Sequence, residues 1–449
     1  MKFKRNEETR RECPTGLDKT ETARRQPQAE WPPAERAVWT DRMLEALVMG
    51  VKGGKWFSLM DKVYSRRNLE AAWAQVRKKR GAAGVDHMSI EKYDAHAKKY
   101  LERLGDELSS GSYQPRPVKR VMIPKPGSTE RRPLGIPTVR DRIAQAAVRN
   151  VIEPIFEHRF HEHSYGFRPG RSCKQALRRV NALLQQGYVW VVDADIKSYF
   201  DTIDHEILMA EVEKEVADGR VLTLLRAFLG QDVMDDVARW TPTGGTPQGA
   251  VISPLLANIH LHPVDLALAQ EGIEFVRYAD DLVLLCKTES AAREALEMLQ
   301  VLMRERKLAL HPDKTKIVDA LHDPRGFDFL GYTFRKGRKW PRAKSYMRLK
   351  DRIRELTKRC NGNSLRDIVL NINPILRGWF EYFKHAGKTF FPPIDKWVRM
   401  RLRSILRARA GREGRGRGAD HQRWPNAFFA NHGLFTMTEA RAAIQSSLK

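Results

Sequence analysis

The sequence predicts an α+β protein, a mixed strand-and-helix part followed by a helical C-terminal part, on three observations. Two β-prone runs, residues 189–196 and 275–286, bring aspartates to a strand end and to a turn. Residues 118–138 read as a second pair of strands joined by a turn. Beyond about residue 341 the spacing becomes helical: Leu349, Ile353, Leu356 and Cys360 step by four, three and four.

At 449 residues the chain is long enough for several structural units and a sizeable core. Lysine and arginine total 80 against 55 acidic residues, a formal charge of +25. Such an excess repels itself in a compact chain unless polyanions neutralise it, so nucleic acid is the expected partner. No run of about eighteen apolar residues occurs, and Met1-Lys2-Phe3-Lys4-Arg5 lacks an apolar signal region, so a cytosolic protein is expected. Cys13, Cys173, Cys286 and Cys360 show no CxxC spacing, which argues against disulfides and a structural zinc site.

Taken in order, residues 1 to about 55 form a polar, proline-punctuated extension with a helical stretch near 35–49. Residues 59–64 and 69–76 are helical by periodicity; Gly81-Ala82-Ala83-Gly84 is a turn, since no Gly-Lys-Ser/Thr completes a phosphate loop. Residues 118–125 and 131–138 are strands whose lysines and arginines suit a solvated edge or a phosphate. A helix over about 140–156 leads to Tyr165-Gly166-Phe167-Arg168-Pro169-Gly170-Arg171, which suits a packed loop or a nucleic-acid contact. His158, His161 and His163 lie close together with nothing beside them to complete a ligand set. Ser253-Pro254 opens a helix, and 289–307 is an amphipathic one. Asn373-Pro374 reads as the cap and first turn of another. Pro392-Pro393 precedes a third C-terminal helix, with Ile394, Val398 and Leu402 on its apolar face and Arg399, Arg401, Arg403, Arg407 and Arg409 mostly off it. Residues 411–418 form a flexible basic linker, and the aromatic tail from Arg423 packs as a small appendage.

Chemistry concentrates in the two aspartate stretches. Val189-Trp190-Val191-Val192-Asp193-Ala194-Asp195-Ile196 is apolar enough to be buried on both faces, so its acids need a partner. Asp280 and Asp281 sit between two strands, where an acidic pair also suits ordinary turn chemistry. Hard carboxylate oxygens suit Mg²⁺, and two such ions clamp the attacking and leaving oxygens of a phosphoryl transfer.

Tyr278-Ala279-Asp280-Asp281 resembles the YADD motif of reverse transcriptases, and Asp195-Ile196-Lys197-Ser198-Tyr199-Phe200-Asp201 resembles the family's preceding metal-binding motif. Pro133-Leu134-Gly135-Ile136-Pro137, Pro247-Gln248-Gly249, the stretch from Phe329 to Phe334 and Asn373-Pro374 with Arg377-Gly378-Trp379 follow in the family's order. From about Trp56 to Ala410 the chain is most similar to bacterial group II intron reverse transcriptase/maturases.

That resemblance implies a right-hand polymerase fold: fingers and palm over 56–340, then an α-helical thumb/maturase domain X over 341–410. A basic linker and RNA/DNA-binding appendage over 411–449 would follow, without the cysteine pairs of an HNH endonuclease. It implies catalytic Asp195, Asp280 and Asp281, which with Ile196 would hold two Mg²⁺ ions; Asp193 either assists or is solvated. Nucleotide contacts carry over to Lys125 and Arg132 (or its neighbour Arg131) at the triphosphate and to Phe200 as a gate against the ribose 2′-hydroxyl. Gln248 and Gly249 would line the pocket, with Lys314 at the leaving pyrophosphate. Arg168, Gly331, Arg377, Arg399 and Arg403 would face RNA or primer, with 329–334 as a primer-grip strand. The implied partners are the group II intron RNA, a primed RNA template, target DNA and dNTPs, in a bacterial cytoplasm and with no membrane. The implied function is RNA-directed DNA synthesis together with help in intron splicing and mobility. A splicing cofactor with a vestigial polymerase site, and a reverse transcriptase recruited to defence or repair, are the rival readings.

Overall fold

The computed structural model describes residues 38–446 apart from 52, 125–130, 236–237 and 361. Its strands, in chain order, are β1 (Val118–Pro124), β2 (Arg131–Ile136), β3 (Trp190–Asp195), β4 (Val233–Met234), β5 (Arg239–Trp240) and β6 (Glu274–Tyr278). They continue with β7 (Asp281–Cys286), β8 (Lys316–Asp319), β9 (Phe327–Phe329), β10 (Tyr332–Arg335) and β11 (Arg338–Pro341). Three sheets result, ordered β2-β1-β4-β5, β6-β7-β3-β8 and β11-β10-β9. The fold is mixed α+β, with helices alone after β11.

The sheet containing β3 and β7 divides two cores. On β3, Val192 and Ala194 turn to one side and Val191 to the other, following the two-residue period of a strand. The first core joins that sheet to the helices Val139–Glu157, Ser253–Gln270 and Glu289–Glu305. The first two of these are buried around most of their circumference, as apolar residues on all faces of a helix require. The second core joins the other face of the sheet to the helix Cys173–Gln185, the β9–β11 sheet and the helices Leu365–Phe383 and Phe391–Arg409. Acidic residues end β3 and begin β7, so the carboxylates emerge at one edge of an otherwise apolar slab.

Several local expectations change. Within the expected 35–49 stretch a helix spans Asp41–Met49, where the Thr40 side chain accepts from the Met43 N–H; residues 35–37, Lys125 and residues 126–130 fall outside the described residues. Residues 329–334 are a hairpin instead of one strand: β9 and β10 join through Leu330 and Gly331, with φ of +46° and +80°. Two successive positive φ values are what a two-residue hairpin turn needs. Asn373-Pro374 does not start a helix. Ser364 caps the helix Leu365–Phe383, which runs through Pro374. Pro374 lacks the N–H that would reach the carbonyl of the exposed Leu370, and Asn373 reaches the tail, donating to the Gly433 carbonyl and accepting from Phe435 N–H. Cys360 lies beyond the helix Ala343–Leu356 and is exposed.

The 411–418 segment is laid along the preceding helix, where Gly416 N–H donates to Ser404 and Arg407 donates to the Glu413 carbonyl. The tail joins the second core through Phe429, Leu434 and Met437 instead of standing apart. Among the described residues no helix is long and apolar enough to cross a membrane.

Candidate active site

In the β3–β7 ladder Asp195 lies directly opposite Asp281, and in the β6–β7 hairpin Tyr278 lies opposite Asp281, leaving Ala279 and Asp280 as the turn. Ala279 has φ +59°, a region L-residues seldom enter, so the turn must be held from outside. Arg277 holds it. Its buried guanidinium donates to both Asp265 oxygens at 2.7 and 2.5 Å, to Asn258 at 2.9 Å and to the Ala279 carbonyl at 3.0 Å. Asn258 also donates to the Gly166 carbonyl at 2.8 Å. Residues 163–165 pair with the free edge of β6, Tyr165 N–H to the Arg277 carbonyl and Arg277 N–H to the His163 carbonyl. Gly166 then lies so close to the Ala279 amide that a Cβ there would overlap it.

Carboxylates crowd this edge. Desolvation and then Asp280, Asp195 and Asp193 push the Asp281 carboxyl up to about 6. Asp280 is raised by desolvation and by Asp195, against an opposing hydrogen bond from its own backbone. Asp193 also rises to about 6: desolvation and the carboxylates Asp328 and Asp195 outweigh Lys316, 3.8 Å away. Asp195 is paired with Lys314 Nζ at 3.0 Å. The His311 N–H to Asp195 carbonyl bond and the Lys197 N–H to Ala309 carbonyl bond flank Ile196, and neither uses the Ile196 carbonyl. Repelling oxygens of this kind fit a hard divalent cation. Mg²⁺ is such an ion, binding by one or two carboxylates and completing its shell with water and phosphate.

A cavity of about 270 Å³ lies between β1, β2, the short helix Tyr199–Thr202 that follows β3, and the loop 242–248. Phe200, half-buried, and Gln248 face it together, whereas the neighbouring Tyr199 is the core residue, its hydroxyl donating to the Ala257 carbonyl at 2.7 Å. Backbone bonds anchor the loop: Gly135 N–H to the Gln248 carbonyl, Thr246 N–H to the Phe200 carbonyl and Gly245 N–H to the Ile203 carbonyl. Gly249 follows at the exposed end, and Arg132 is exposed on β2 opposite Ile123. Sequence reasoning passed over Arg120 and Trp240, which meet on the cavity wall with the guanidinium 5.3 Å from the ring centroid. It also passed over Arg277, Asp265, Asn258 and Gly166; the available signal was a charged residue inside an apolar strand, which needs a buried partner.

The five residues assigned to RNA or primer are dispersed. Gly331 lies in the β9–β10 turn, with Leu330's carbonyl accepting from Tyr382 Oη at 2.7 Å. Arg377 is exposed, stacked 4.5 Å from the Phe435 ring, and Arg399 is half-buried. Arg168 is buried and spends its guanidinium on Glu157 and on the His161 and Ser164 carbonyls. Arg403 is likewise buried, donating to the Trp424 carbonyl and to Asn426. Both hold the protein's own backbone, leaving little of either for RNA. His161 and His163 pack on Phe275.

Among known proteins, the reverse transcriptase (RNA-dependent DNA polymerase) family matches residues 123–334, and the group II intron, maturase-specific domain matches residues 346–424. The chain is 38% identical over 288 residues to Protein YkfC of Escherichia coli (strain K12), covering 56% of this chain and 74% of that protein. It is 37% identical over 190 residues to the group II intron-encoded protein LtrA of Lactococcus lactis subsp. cremoris, covering 42% of this chain and only 32% of that one. A solved partial Cas6-RT-Cas1–Cas2 complex aligns over 56% of this chain and 43% of its own at 24% identity and a TM-score of 0.37, too distant to support any argument.

Proposed function

Since the chain belongs to the group II intron reverse transcriptase/maturase family, we propose that it copies RNA into DNA at the Asp195–Asp281 site and binds its intron RNA to assist splicing and mobility. One observation carries the reading: Asp195 and Asp281 oppose each other across the ladder, with Asp280 in the adjoining turn. Asp195, the Ile196 carbonyl and Asp280, supported by Asp281, would hold two Mg²⁺ ions. When bound, these supply charge neutralisation at the attacking primer 3′-hydroxyl and at the leaving pyrophosphate.

The protein's own groups act by position, since such reactions ask little covalent work of side chains. Lys314, already 3.0 Å from Asp195, exchanges that carboxylate for an oxygen of the departing pyrophosphate. Arg132, with Lys125, grips the triphosphate. Phe200 forms the wall that a ribose 2′-hydroxyl would strike, which selects dNTPs by exclusion. Gln248 and Gly249 meet the nucleotide and template, and the Gly331 turn offers backbone to the primer end. The natural division is fingers and palm over 56–340, a helical maturase unit over 341–410 and an appendage over 411–449 that meets RNA or target DNA. Exposed Arg377 and half-buried Arg399 suit phosphates of the intron RNA, and the excess of basic residues suits shape-and-charge recognition of it in a bacterial cytoplasm.

The test is Mg²⁺-dependent dNTP incorporation on a primed RNA template by wild type and by Asp280→Ala/Asp281→Ala, with intron excision measured in parallel. Incorporation should vanish in the double variant while excision persists. A folded wild type that incorporates nothing yet assists excision would sink the polymerase reading.

A further inference from the structure

Away from the aspartates, the helix Cys173–Gln185, β11 and the end of the helix Leu365–Phe383 meet around a cavity of about 130 Å³. Tyr332 and Tyr382 line it, and Lys174, Arg178, Lys339 and His385 surround it. Arg441, from the helix Met437–Ser446, joins them: it donates to the Lys384 carbonyl, and its buried Nε has no partner. Acid is scarce here. Glu381 pairs with Lys384 at 2.8 Å and more loosely with Lys174 at 3.8 Å, and among the described residues Arg178 and Lys339 have no acidic partner. Lys339 is held below its ordinary value by desolvation and then by Arg178 and Arg441. Desolvation, then Lys339, Lys384, Arg441 and Arg178, do the same to His385. Like charges gathered from separate elements into a partly dry recess repel unless an anion joins them.

The surroundings identify the anion. Tyr382 Oη donates to the Leu330 carbonyl and Tyr332 Oη to the Tyr382 carbonyl, so the cavity lies against the Leu330–Gly331 turn. Cys173, heading the helix that supplies Lys174 and Arg178, lies close enough to Tyr278 and Tyr382 to raise both hydroxyls, so the same wall continues to the turn bearing Asp280. We propose that this cavity binds a phosphodiester of the primer strand, a few linkages behind its 3′ terminus. Lys339, Arg178 and Arg441 are the principal contacts. The choice of strand rests on the polymerase reading above; the existence of a phosphate site does not.

The test uses the full chain and a labelled DNA primer annealed to an RNA template, in a salt series without dNTPs. Arg178→Gln/Lys339→Gln should bind about tenfold more weakly, with the slope of log K against log salt smaller by roughly one for each phosphate no longer neutralised. Arg178→Lys, which keeps the charge, should bind as wild type does, so loss cannot be assigned to misfolding. A single uncharged methylphosphonate walked along the primer should weaken wild type at one or two linkages and leave the double variant insensitive there. Identical salt slopes and identical linkage profiles would overturn the proposal. So would a defect confined to a folded group II intron transcript, which would assign the site to that RNA. Asp280→Ala/Asp281→Ala should lose incorporation and keep the linkage profile, so failure of the polymerase reading and failure of this one look different.

Discussion

The turns Ala279–Asp280 and Leu330–Gly331 are equally short and are held by opposite means. The first rests on charge: Arg277 and Asp265, both buried, with Asn258 between the pair and the backbone. The second rests on neutral groups, the Tyr382 and Tyr332 hydroxyls bonding to main-chain carbonyls. Gly331 there has only ordinary contacts around it, whereas Gly166 presses against the Ala279 amide. The difference follows from what each turn presents. Asp280 must be kept in place beside other carboxylates that repel it, and a cation fixed behind the turn opposes that repulsion. A turn that offers backbone has no charge to hold in place, and neutral bonds suffice.

The strongest way to break this contrast is Arg277→Met, which strands Asp265 in the core. A loss of about 3–5 kcal/mol of unfolding stability is expected, read as a shift of the urea midpoint. Arg277→Met/Asp265→Leu should regain most of that stability and still fail in primer extension, because the Ala279 carbonyl has lost its donor. A single variant as stable as wild type would show that the ion pair is not the support.

Acid sharpens the contrast. The helix that supplies Asn258 and Asp265 also buries His260, whose imidazole is pushed down to about 4 by desolvation and then by Arg306. Above pH 6.5 the residue is neutral in both the folded and the unfolded chain and contributes nothing to the pH dependence. As the pH falls from 6.5 towards 4, the unfolded chain binds a proton that the folded chain refuses, so up to about 3 kcal/mol of stability is lost. His260→Leu should flatten that decline between pH 7 and 4.5. Hydrogen exchange should show Ser253–Gln270 loosening before Tyr332–Arg335, whose supporting tyrosines stay neutral throughout; equal loosening would erase the distinction.

The mildest perturbation is Tyr382→Phe. Removing one neutral hydrogen bond costs about 1 kcal/mol. Primer affinity should fall a few-fold with kcat unchanged. A fall in kcat without weaker binding would mean that the second turn acts on the chemistry itself.

The elements of the site are legible in sequence because their signals are local. An apolar run ending in acids marks β3, and a two-residue break between β-prone runs marks the β6–β7 hairpin. What stays hidden is register and partnership. Nothing near Asp195 announces Asp281 as its opposite number, and Arg277 resembles any strand charge until Asp265, in the apolar setting of Val264 and Leu268, is matched to it. Arg168 and Arg403 show why arginines are hard to assign from sequence: a guanidinium with several donors can satisfy loop carbonyls as readily as phosphates, and only burial distinguishes the uses. Asn373-Pro374 misleads because its capping chemistry is real but is spent on the tail.

The order β6-β7-β3-β8 also has a consequence in time. Both neighbours of β3 are made after it, β7 only once several helices have been synthesised. At a ribosomal pace of roughly 5–20 residues per second, Trp190–Asp195 waits some seconds with its hydrogen-bonding edges open. Its apolar run is then a sticky segment, and Asp193 and Asp195 are the charges that keep it from pairing with another nascent chain. The acids of the proposed catalytic edge therefore also protect the strand before there is a fold to belong to.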